Sequence, residues 1–138
     1  MHKQIHKHVS NWQSWAPYIQ SALRIVAALL FTLVGTSKLF AFPIGAMQGG
    51  GAVPPYSLMG LAGFLEAFGG LMMLFGLFTR PIAFVLSGEM AVAYFLAHFS
   101  RSIWPMMNGG TDAILFCFIW LYFSSAGAGP WSLDAIRK

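Results

Sequence analysis

Acidic residues are nearly absent from this sequence. Only four of its 138 residues are Asp or Glu, and charged residues of both signs together make up 9%, against about 25% in ordinary soluble domains. A soluble protein could not cover its surface with so few charges when 57% of its residues are hydrophobic. The composition therefore excludes a soluble globular protein and predicts an integral membrane protein, which at this length forms one domain.

Cysteine is nearly absent as well, because Cys117 is the single cysteine. An internal disulfide and a redox-active Cys-x-x-Cys pair are both excluded, so redox chemistry by the chain's own thiols is not expected. The net charge of +4 does not indicate nucleic acid, since the basic residues are scattered and form no stripe for a groove.

Four long apolar segments, separated by clusters of Gly and Pro, run along the chain. About 20 apolar residues cross a bilayer, so the segments predict an all-α fold, a four-helix transmembrane bundle. The transmembrane domain is residues 18–127, with spans at approximately residues 18–42, 56–78, 81–98 and 110–125. Residues 1–17 are predicted to be a polar N-terminal tail with a short interfacial helix, and residues 128–138 a cytoplasmic C-terminal tail.

Two local features support the interfacial helix. Trp12 and Trp15 share a helix face, and Trp prefers the headgroup level. Pro17 suits the first turn of a new helix, so the first span is expected to begin after it.

The basic residues predict the orientation. The loops on one side of the predicted bundle carry only Arg101, whereas the tails and the turn between the second and third spans carry Lys3, Lys7, Arg80, Arg137 and Lys138. Cytoplasmic segments carry an excess of Lys and Arg. Both termini are therefore predicted to be cytoplasmic, in agreement with an even number of spans.

Three of the four acidic residues fall inside predicted spans and are candidate functional residues. Glu66 and Glu89 lie near mid-depth of the second and third spans, and Asp112 opens the fourth. An Asp in hydrocarbon costs about 2.5 kcal/mol or more, and such residues usually mark a site or a pathway. Two unpaired carboxylates would not both ionise there, so at least one is expected to carry a proton or to share a cation.

Lys38, in the first span, is expected at the same outer depth as Asp112 and His98. We expect Lys38 and Asp112 to form an ion pair, directly or through His98, and the pair is interpreted either as a ligand-orienting group or as a device that fixes helix register. Arg24 lies on the same face of the first span near its inner end, where snorkelling to the interface is the favoured interpretation over ligand binding. The tail histidines are interpreted as a disordered segment, and no metal site is predicted: His2, His6 and His8.

Several short motifs follow one another in a definite order along the chain. They are Gly35-Thr-Ser-Lys38 after Arg24, Glu66-Ala-Phe-Gly69, Gly76-Leu-Phe-Thr79-Arg80, Met90-Ala-Val-Ala93, Asn108-Gly109-Gly110 and Gly127-Ala-Gly129-Pro-Trp-Ser132-Leu133-Asp134. In this order and spacing the sequence resembles the DoxX family of small bacterial membrane proteins, over nearly the whole chain after the N-terminal tail. Asp112 stands one residue beyond the position where relatives often carry Glu.

The resemblance implies a four-helix bundle in the bacterial cytoplasmic (inner) membrane and an association with redox chemistry at the quinone pool. The founding member of the family resembles a subunit of a thiosulfate:quinone oxidoreductase. We therefore expect a membrane subunit of an oxidoreductase system that contacts quinone or a lipid-like ligand. Glu66 and Glu89 would exchange protons with the ligand, and Lys38 would orient a carbonyl or carboxylate.

The expected partners follow from the same hypothesis. They are membrane lipid, quinone or another small apolar ligand, and a redox partner protein or other subunits of a membrane complex. No covalent cofactor is expected, because no cofactor motif is present, and as an enzyme the chain would act only as such a subunit. Two alternatives stay open: a non-catalytic accessory or structural subunit that uses its buried charges for packing and assembly, and a bundle that binds a small amine or cation between the acids.

Overall fold

Helices make up most of the molecule. This computed structural model describes the backbone of residues 2–138 and the side chains of residues 11–138, and no strand occurs among these residues. The helices are α1 (His2–Phe40), α2 (Leu58–Phe75), α3 (Thr79–His98), α4 (Pro105–Asn108), α5 (Thr111–Ala126) and α6 (Leu133–Ile136). Within α2 and α3, the segments Leu65–Gly69 and Tyr94–His98 are π-helical.

Three of these helices are long and apolar enough to cross a membrane. They are Asn11–Phe40 of α1, all of α2 and all of α3. α5 is a shorter apolar helix of 16 residues, which corresponds to about 24 Å of length against a hydrocarbon core of about 30 Å. The all-α class is thus confirmed, with three helices that could cross a membrane, and the fourth crossing remains a proposal.

α1 does not begin where the sequence predicts a new helix. It runs from His2 to Phe40 with Pro17 inside it. A proline in a helix leaves the carbonyl four residues earlier, here that of Gln13, without its usual donor. Gln13 and Pro17 are exposed, so that carbonyl is open to water and the helix continues. The side chains of His2, His6 and His8 lie outside the described residues.

The long helices pack as two close antiparallel pairs, α1 with α2 and α3 with α5. In the first pair the backbones nearly touch at two glycines. A Cβ on Gly35 would lie 2.8 Å from the Cα of Ala67, and a Cβ on Gly70 would lie 3.0 Å from the backbone nitrogen of Thr32. Small residues allow helices in membranes to approach in this way.

An aromatic layer joins the two pairs. The ring of Phe31 in α1 lies 5.0 Å from that of Phe116 and 5.2 Å from that of Trp120, both in α5, measured between centroids. Phe31, Trp120 and Phe123 are completely or almost completely buried. They form the centre of the core together with small and aliphatic residues of α1, α2 and α3.

The two ends of the bundle differ in construction. The tail end contains the turn between α2 and α3 and the C-terminal residues 127–138, which fold back onto α1. The loop end contains residues 41–57 and 99–110, rich in Gly, Pro and apolar side chains.

Candidate functional site

A buried ion pair links α1 to α2. Lys38, in the last turn of α1, donates from Nζ to Oε1 of Glu66 at 2.6 Å. The Lys38 side chain is 17% exposed and that of Glu66 is 2% exposed. Helical side chains tilt toward the N-terminus of their own helix, so in this antiparallel pair Lys38 leans toward the tail end and Glu66 toward the loop end. The two charged groups therefore meet between their helices.

The predicted pair between Lys38 and Asp112 is wrong. Asp112 is exposed in the first turn of α5, where the positive end of the helix dipole favours a carboxylate. Among the described residues the one ion pair is that of Lys38 with Glu66. Equal depth in the membrane did not decide the partner, because α1 lies against α2 along its length, whereas its contact with α5 is slight.

Glu89 lies at the same level as this ion pair. A Cβ on Gly69 in α2 would lie 2.8 Å from Leu86 in α3. Glu66 precedes Gly69 by three residues, and Glu89 follows Leu86 by three residues. Because α2 and α3 are antiparallel, both steps lead toward the loop end, so the two acids lie at one depth. Glu89 is within electrostatic range of both Glu66 and Lys38. The structure therefore brings Lys38, Glu66 and Glu89 together, and these three residues are called the acid cluster below.

Most of the oxygens in the acid cluster have no hydrogen-bond partner within the described protein. They are Oε2 of Glu66 and both Oε1 and Oε2 of Glu89, and all three atoms are buried. Burying a polar group without a partner costs free energy, and the cluster holds two carboxyl groups against one ammonium group. It can balance its charge by holding one proton or one small cation, and its free oxygens can bond a ligand.

The π-helical segment in α2 positions Glu66. Leu65–Gly69 contains Glu66 and Ala67, both buried. Single π-turns inside α-helices occur frequently at functional sites. The segment coincides with the Glu66-Ala-Phe-Gly69 motif, so the motif carries both the acid and the local change of helix geometry.

His98 stabilises the loop end and does not bridge Lys38 and Asp112. Its Nδ1 lies 3.0 Å from the carbonyl oxygen of Asn108. Asn108 is itself buried, and it donates from Nδ2 to the carbonyl of Ser102 at 2.7 Å. Gly110 donates its N–H to Oδ1 of Asn108 at 2.7 Å. The Asn-Gly-Gly motif therefore shapes the approach to α5, and the predicted bridging role of His98 is wrong.

Arg24 is fully buried, so the snorkelling interpretation is wrong. Its guanidinium donates to the carbonyls of Met73 at 2.5 Å, Leu74 at 2.6 Å and Ala128 at 2.9 Å, and also to that of Trp131. The last carbonyls of a helix have no partner inside the helix, and the five N–H donors of arginine can satisfy several such groups at once. Arg24 thus ties the C-terminal segment to the end of α2 and touches no residue of the acid cluster.

Sequence reasoning missed Asp134. Its Oδ1 accepts from the backbone N–H of Phe78 at 2.9 Å and its Oδ2 from that of Thr79 at 2.8 Å, at the start of α3. Burial alone would raise the pKa of Asp134, but the hydrogen bonds from Thr79 and Phe78 and the charge of Arg137 outweigh it and hold the pKa below its usual value. The signal available in the sequence was an acid placed after Gly-Pro-Trp-Ser-Leu in a tail that otherwise carries basic charge.

Across residues 11–138, no three or more His, Cys, Asp and Glu side chains come close enough together to hold an ion. The acid cluster contributes two carboxyl groups with a lysine beside them.

The fold and the acid cluster describe an all-α membrane protein with ionisable groups in its interior. The sequence pattern of the DoxX family matches residues 19–99. A protein of Haemophilus influenzae described as uncharacterized is 43% identical over 129 residues, which cover 91% of this chain and 96% of that protein. The chain belongs to the DoxX family. No solved structure matches it significantly.

The family match covers the whole acid cluster. Arg24, Lys38, Glu66 and Glu89 all lie within residues 19–99, whereas Asp112 and Asp134 lie beyond them. The resemblance found from the motifs is therefore confirmed.

Proposed function

We propose that this protein is a membrane subunit of an oxidoreductase system, in which the acid cluster exchanges protons with a quinone or a lipid-like ligand. The observation that carries the proposal is the 2.6 Å pair of Lys38 with Glu66 at the level of Glu89, with three buried carboxylate oxygens that have no partner among the described residues. Ionisable groups inside a membrane protein are costly and mark functional sites by default.

The residues of the cluster suit a ligand with carbonyl oxygens. The ammonium of Lys38 donates hydrogen bonds, and a protonated carboxyl of Glu66 or Glu89 donates one more. A quinone takes up two electrons and two protons when it becomes a quinol. Glu66 and Glu89 would hold and pass on those protons, and Lys38 would orient the accepting oxygen.

Electrons would come from a partner. The sequence contains one cysteine, and the acid cluster itself has no group that carries electrons. A redox partner protein or another subunit of a membrane complex is therefore part of the proposal.

The lipid contacts and the orientation complete the proposal. Large apolar side chains are exposed along α1, α2, α3 and α5, as expected for helices that face lipid tails. We propose that α5 supplies the fourth crossing, that the protein resides in the bacterial inner membrane, and that both termini are cytoplasmic, as the placement of Lys and Arg indicates.

One observation favours a second candidate function, the binding of a small amine or cation. The acid cluster holds two acids and one base, so a monovalent cation beside Glu89 would neutralise it. A cation would also occupy the free carboxylate oxygens, which are hard ligands. A purely structural role for the Lys38–Glu66 pair is the remaining outcome of the test below.

The test is ligand binding to the purified protein in lipid nanodiscs, with ubiquinone-1 as the probe. Glu89→Gln keeps the shape of the side chain but cannot exchange a proton, and we expect it to weaken binding at least 10-fold, the loss expected for one hydrogen bond to a charged group. Asp112→Asn is the matched control, because Asp112 is exposed, and its affinity should stay within 2-fold of wild type.

Each outcome of this experiment decides between the candidates. Binding that is lost in Glu89→Gln and kept in Asp112→Asn, with an unchanged circular dichroism spectrum, supports the quinone proposal. Binding of methylamine or Na⁺ in place of ubiquinone-1, again dependent on Glu89, replaces it with the cation-binding function. If the wild-type protein binds none of these probes, the acid cluster has a structural role.

A further inference from the structure

A pocket of about 510 Å³ opens at the tail end of the bundle. It lies between the start of α3, the end of α5 and the C-terminal segment, and none of its lining residues belongs to the acid cluster. Its charged residues are Arg80, Asp134 and Lys138. Pockets that hold small ligands have volumes of about 300–1,000 Å³, so this one is large enough for a ligand. It is called the tail pocket below.

Arg80 is anchored on one side and free on the other. Its Nη1 donates to the carbonyl of Ser125 and lies 3.5 Å from that of Ser124, and the last carbonyls of a helix have no partner inside the helix. A Cβ on Gly127 would lie 3.3 Å from Nη2 and 3.5 Å from Nε, so the glycine leaves this edge of the guanidinium uncovered. Neither nitrogen donates to a group among the described residues. Two parallel N–H donors of this kind are what arginine uses to hold a phosphate.

Other hydrogen-bond donors without partners line the same pocket. Thr79 is 1% exposed, and its hydroxyl has no hydrogen-bond partner within the described protein. The backbone N–H groups of Ala128 and Gly129 also donate to no group among the residues that the structure describes. Lys138 adds a second positive charge. A pocket with this lining favours an anion.

The one acid that lines the tail pocket is already bonded. Asp134 accepts from the first two backbone N–H groups at the start of α3, those of Phe78 and Thr79. Its charge is also balanced by Arg137, which lies within electrostatic range. The two cations of the lining therefore outnumber its acid, and the acid has little capacity left for a ligand.

The tail pocket lies at the depth expected for lipid headgroups. It opens beside Thr79, the first residue of a helix long and apolar enough to cross a membrane. Trp131 and Tyr18, which prefer the headgroup level, meet at this end of the bundle with 5.7 Å between ring centroids. Phe84, one turn along α3 from Arg80, is 67% exposed. A ligand held at Arg80 would thus have its anionic group among the headgroups and its apolar part against α3.

We propose that the tail pocket binds the phosphate group of an anionic phospholipid. Arg80 and Lys138 hold the phosphate, and the acyl chains lie outside the pocket along α3. Basic pockets between membrane-crossing helices recognise anionic headgroups on the cytoplasmic side of membranes, which is the side proposed above for the tail end. The bound lipid would join α3, α5 and the C-terminal segment. The site is independent of the acid cluster and of the proposed function.

Lipid titration of the delipidated protein, followed by native mass spectrometry, tests the site. Dioleoylphosphatidylglycerol is the probe, and dioleoylphosphatidylcholine, with the same chains and no net charge, is the comparison. We expect one phosphatidylglycerol to bind in preference, and Arg80→Gln to weaken its binding at least 10-fold, the loss of a hydrogen bond to a charged group. Arg101→Gln removes the same charge from an exposed position at the loop end and should stay within 2-fold of wild type. Equal affinity for the two lipids, or an equal loss in both variants, would overturn the proposal.

A second variant separates binding from folding, because Arg80 also bonds the end of α5. Lys138 is exposed and its side chain forms no ion pair among the described residues, so Lys138→Gln should leave the circular dichroism spectrum unchanged. It should weaken phosphatidylglycerol binding about 5-fold, the contribution of one basic residue near an anionic surface. Affinity equal to that of wild type in Lys138→Gln contradicts the proposal.

Inorganic phosphate distinguishes a lipid headgroup from a free anion of the same chemistry. Added in excess, it should leave phosphatidylglycerol bound, because the acyl chains contribute to the affinity of the lipid alone. Displacement of the lipid, together with binding of inorganic phosphate that depends on Arg80, would assign the tail pocket to free phosphate and overturn the lipid proposal.

Discussion

At the scale of single residues, the protein shows three ways of holding charge in an apolar interior. Arg24 spreads its charge over four backbone carbonyls, and Lys38 meets Glu66 directly. Glu89 has neither kind of partner within the described protein. A buried charge that is fully bonded serves structure, whereas a buried carboxyl without a partner is available for a proton or a ligand. Glu89 is therefore the residue most closely tied to the proposed function.

The Lys38–Glu66 pair predicts strong coupling between two substitutions. Lys38→Met and Glu66→Gln should each lower the free energy of unfolding by about 3 kcal/mol, because each removes one partner of a hydrogen-bonded ion pair in the interior. The double variant should lose clearly less than the sum of the two. Unfolding in SDS, monitored by circular dichroism, measures all three variants.

The control for this cycle uses Asp112. Because Asp112 is exposed and lies apart from Lys38, Lys38→Met and Asp112→Asn should be additive within about 0.5 kcal/mol. Coupling between Lys38 and Asp112, combined with additivity between Lys38 and Glu66, would show that the ion pair is assigned to the wrong acid.

Asp134 predicts a dependence of stability on pH. Its folded pKa lies below the usual Asp value, so its contribution is fully present above that usual value and is lost as the pH falls toward the folded pKa. Asp134→Asn replaces one of the two accepting oxygens by an NH₂ group, so it should cost about 1 kcal/mol at pH 7, the net contribution of one hydrogen bond. The difference in melting temperature between wild type and Asp134→Asn should shrink below pH 4.

Asp112→Asn is again the comparison for this experiment. Asp112 makes no hydrogen bond or ion pair through its side chain among the described residues, so its substitution should leave the pH profile close to that of wild type. A difference between wild type and Asp134→Asn that stays constant from pH 7 to pH 3 would refute the capping role of the ionised carboxylate.

At the scale of helices, the contact between α1 and α2 depends on glycine. The two backbones approach closely at Gly35, one turn before Lys38, and a Cβ on Gly63 would lie 3.0 Å from that of Lys38, so glycines on both helices allow the Lys38–Glu66 pair to form. The π-helical segment of α2 lies at the same level. Helix packing and the geometry of the acid cluster are therefore one structural feature.

Two glycine substitutions separate packing from helix propensity. Gly35→Ala should destabilise the protein by about 1–3 kcal/mol, since its Cβ would meet the backbone of Ala67 and Glu66, which cannot move aside easily. Gly88→Ala, in the exposed middle of α3 with nothing within 4 Å of the added Cβ, should stabilise it by about 0.5–1 kcal/mol. SDS unfolding measures both, and a loss of equal size in both variants would show that packing at Gly35 is not the cause.

At the scale of the whole molecule, the number of crossings is decided by α5. Its 16 residues are short for a hydrocarbon core of about 30 Å, but it packs along α3 through most of its length. Ser87 also donates to the carbonyl of Cys117 at 2.8 Å between the two helices. A helix held this closely to a membrane-crossing helix is expected to share its environment.

Fusions at the two termini test the fourth crossing. With four crossings both ends lie on one side, so green fluorescent protein at either end should fluoresce and alkaline phosphatase at either end should be inactive. A phosphatase inserted beside Arg101, in the loop before α5, should be active and serves as the internal control. Opposite results from the two termini would mean three crossings, with α5 outside the hydrocarbon core.

Local pattern was enough to predict the helices and to select the interior charges. The lengths of the apolar runs and the Gly and Pro clusters between them lie in the sequence itself, so the all-α class and the presence of long apolar helices could be predicted from it. A charge inside an apolar run is equally visible, which is why Lys38, Glu66 and Glu89 were chosen as candidates. Pro17 was misread, because an exposed carbonyl tolerates a missing donor and the sequence does not show that exposure.

The tertiary structure alone decided which charged groups meet. Position along a span gives the depth of a residue in the membrane, but contact also requires that two helices face each other. Equal depth predicted an ion pair of Lys38 with Asp112, whereas the close approach of α1 and α2 pairs Lys38 with Glu66. Arg24 and Asp134 acquired their roles when the C-terminal segment folded back onto α1 and the α2–α3 turn. Those contacts join residues more than 50 positions apart, and a local sequence pattern does not show which distant residue will contact a given side chain.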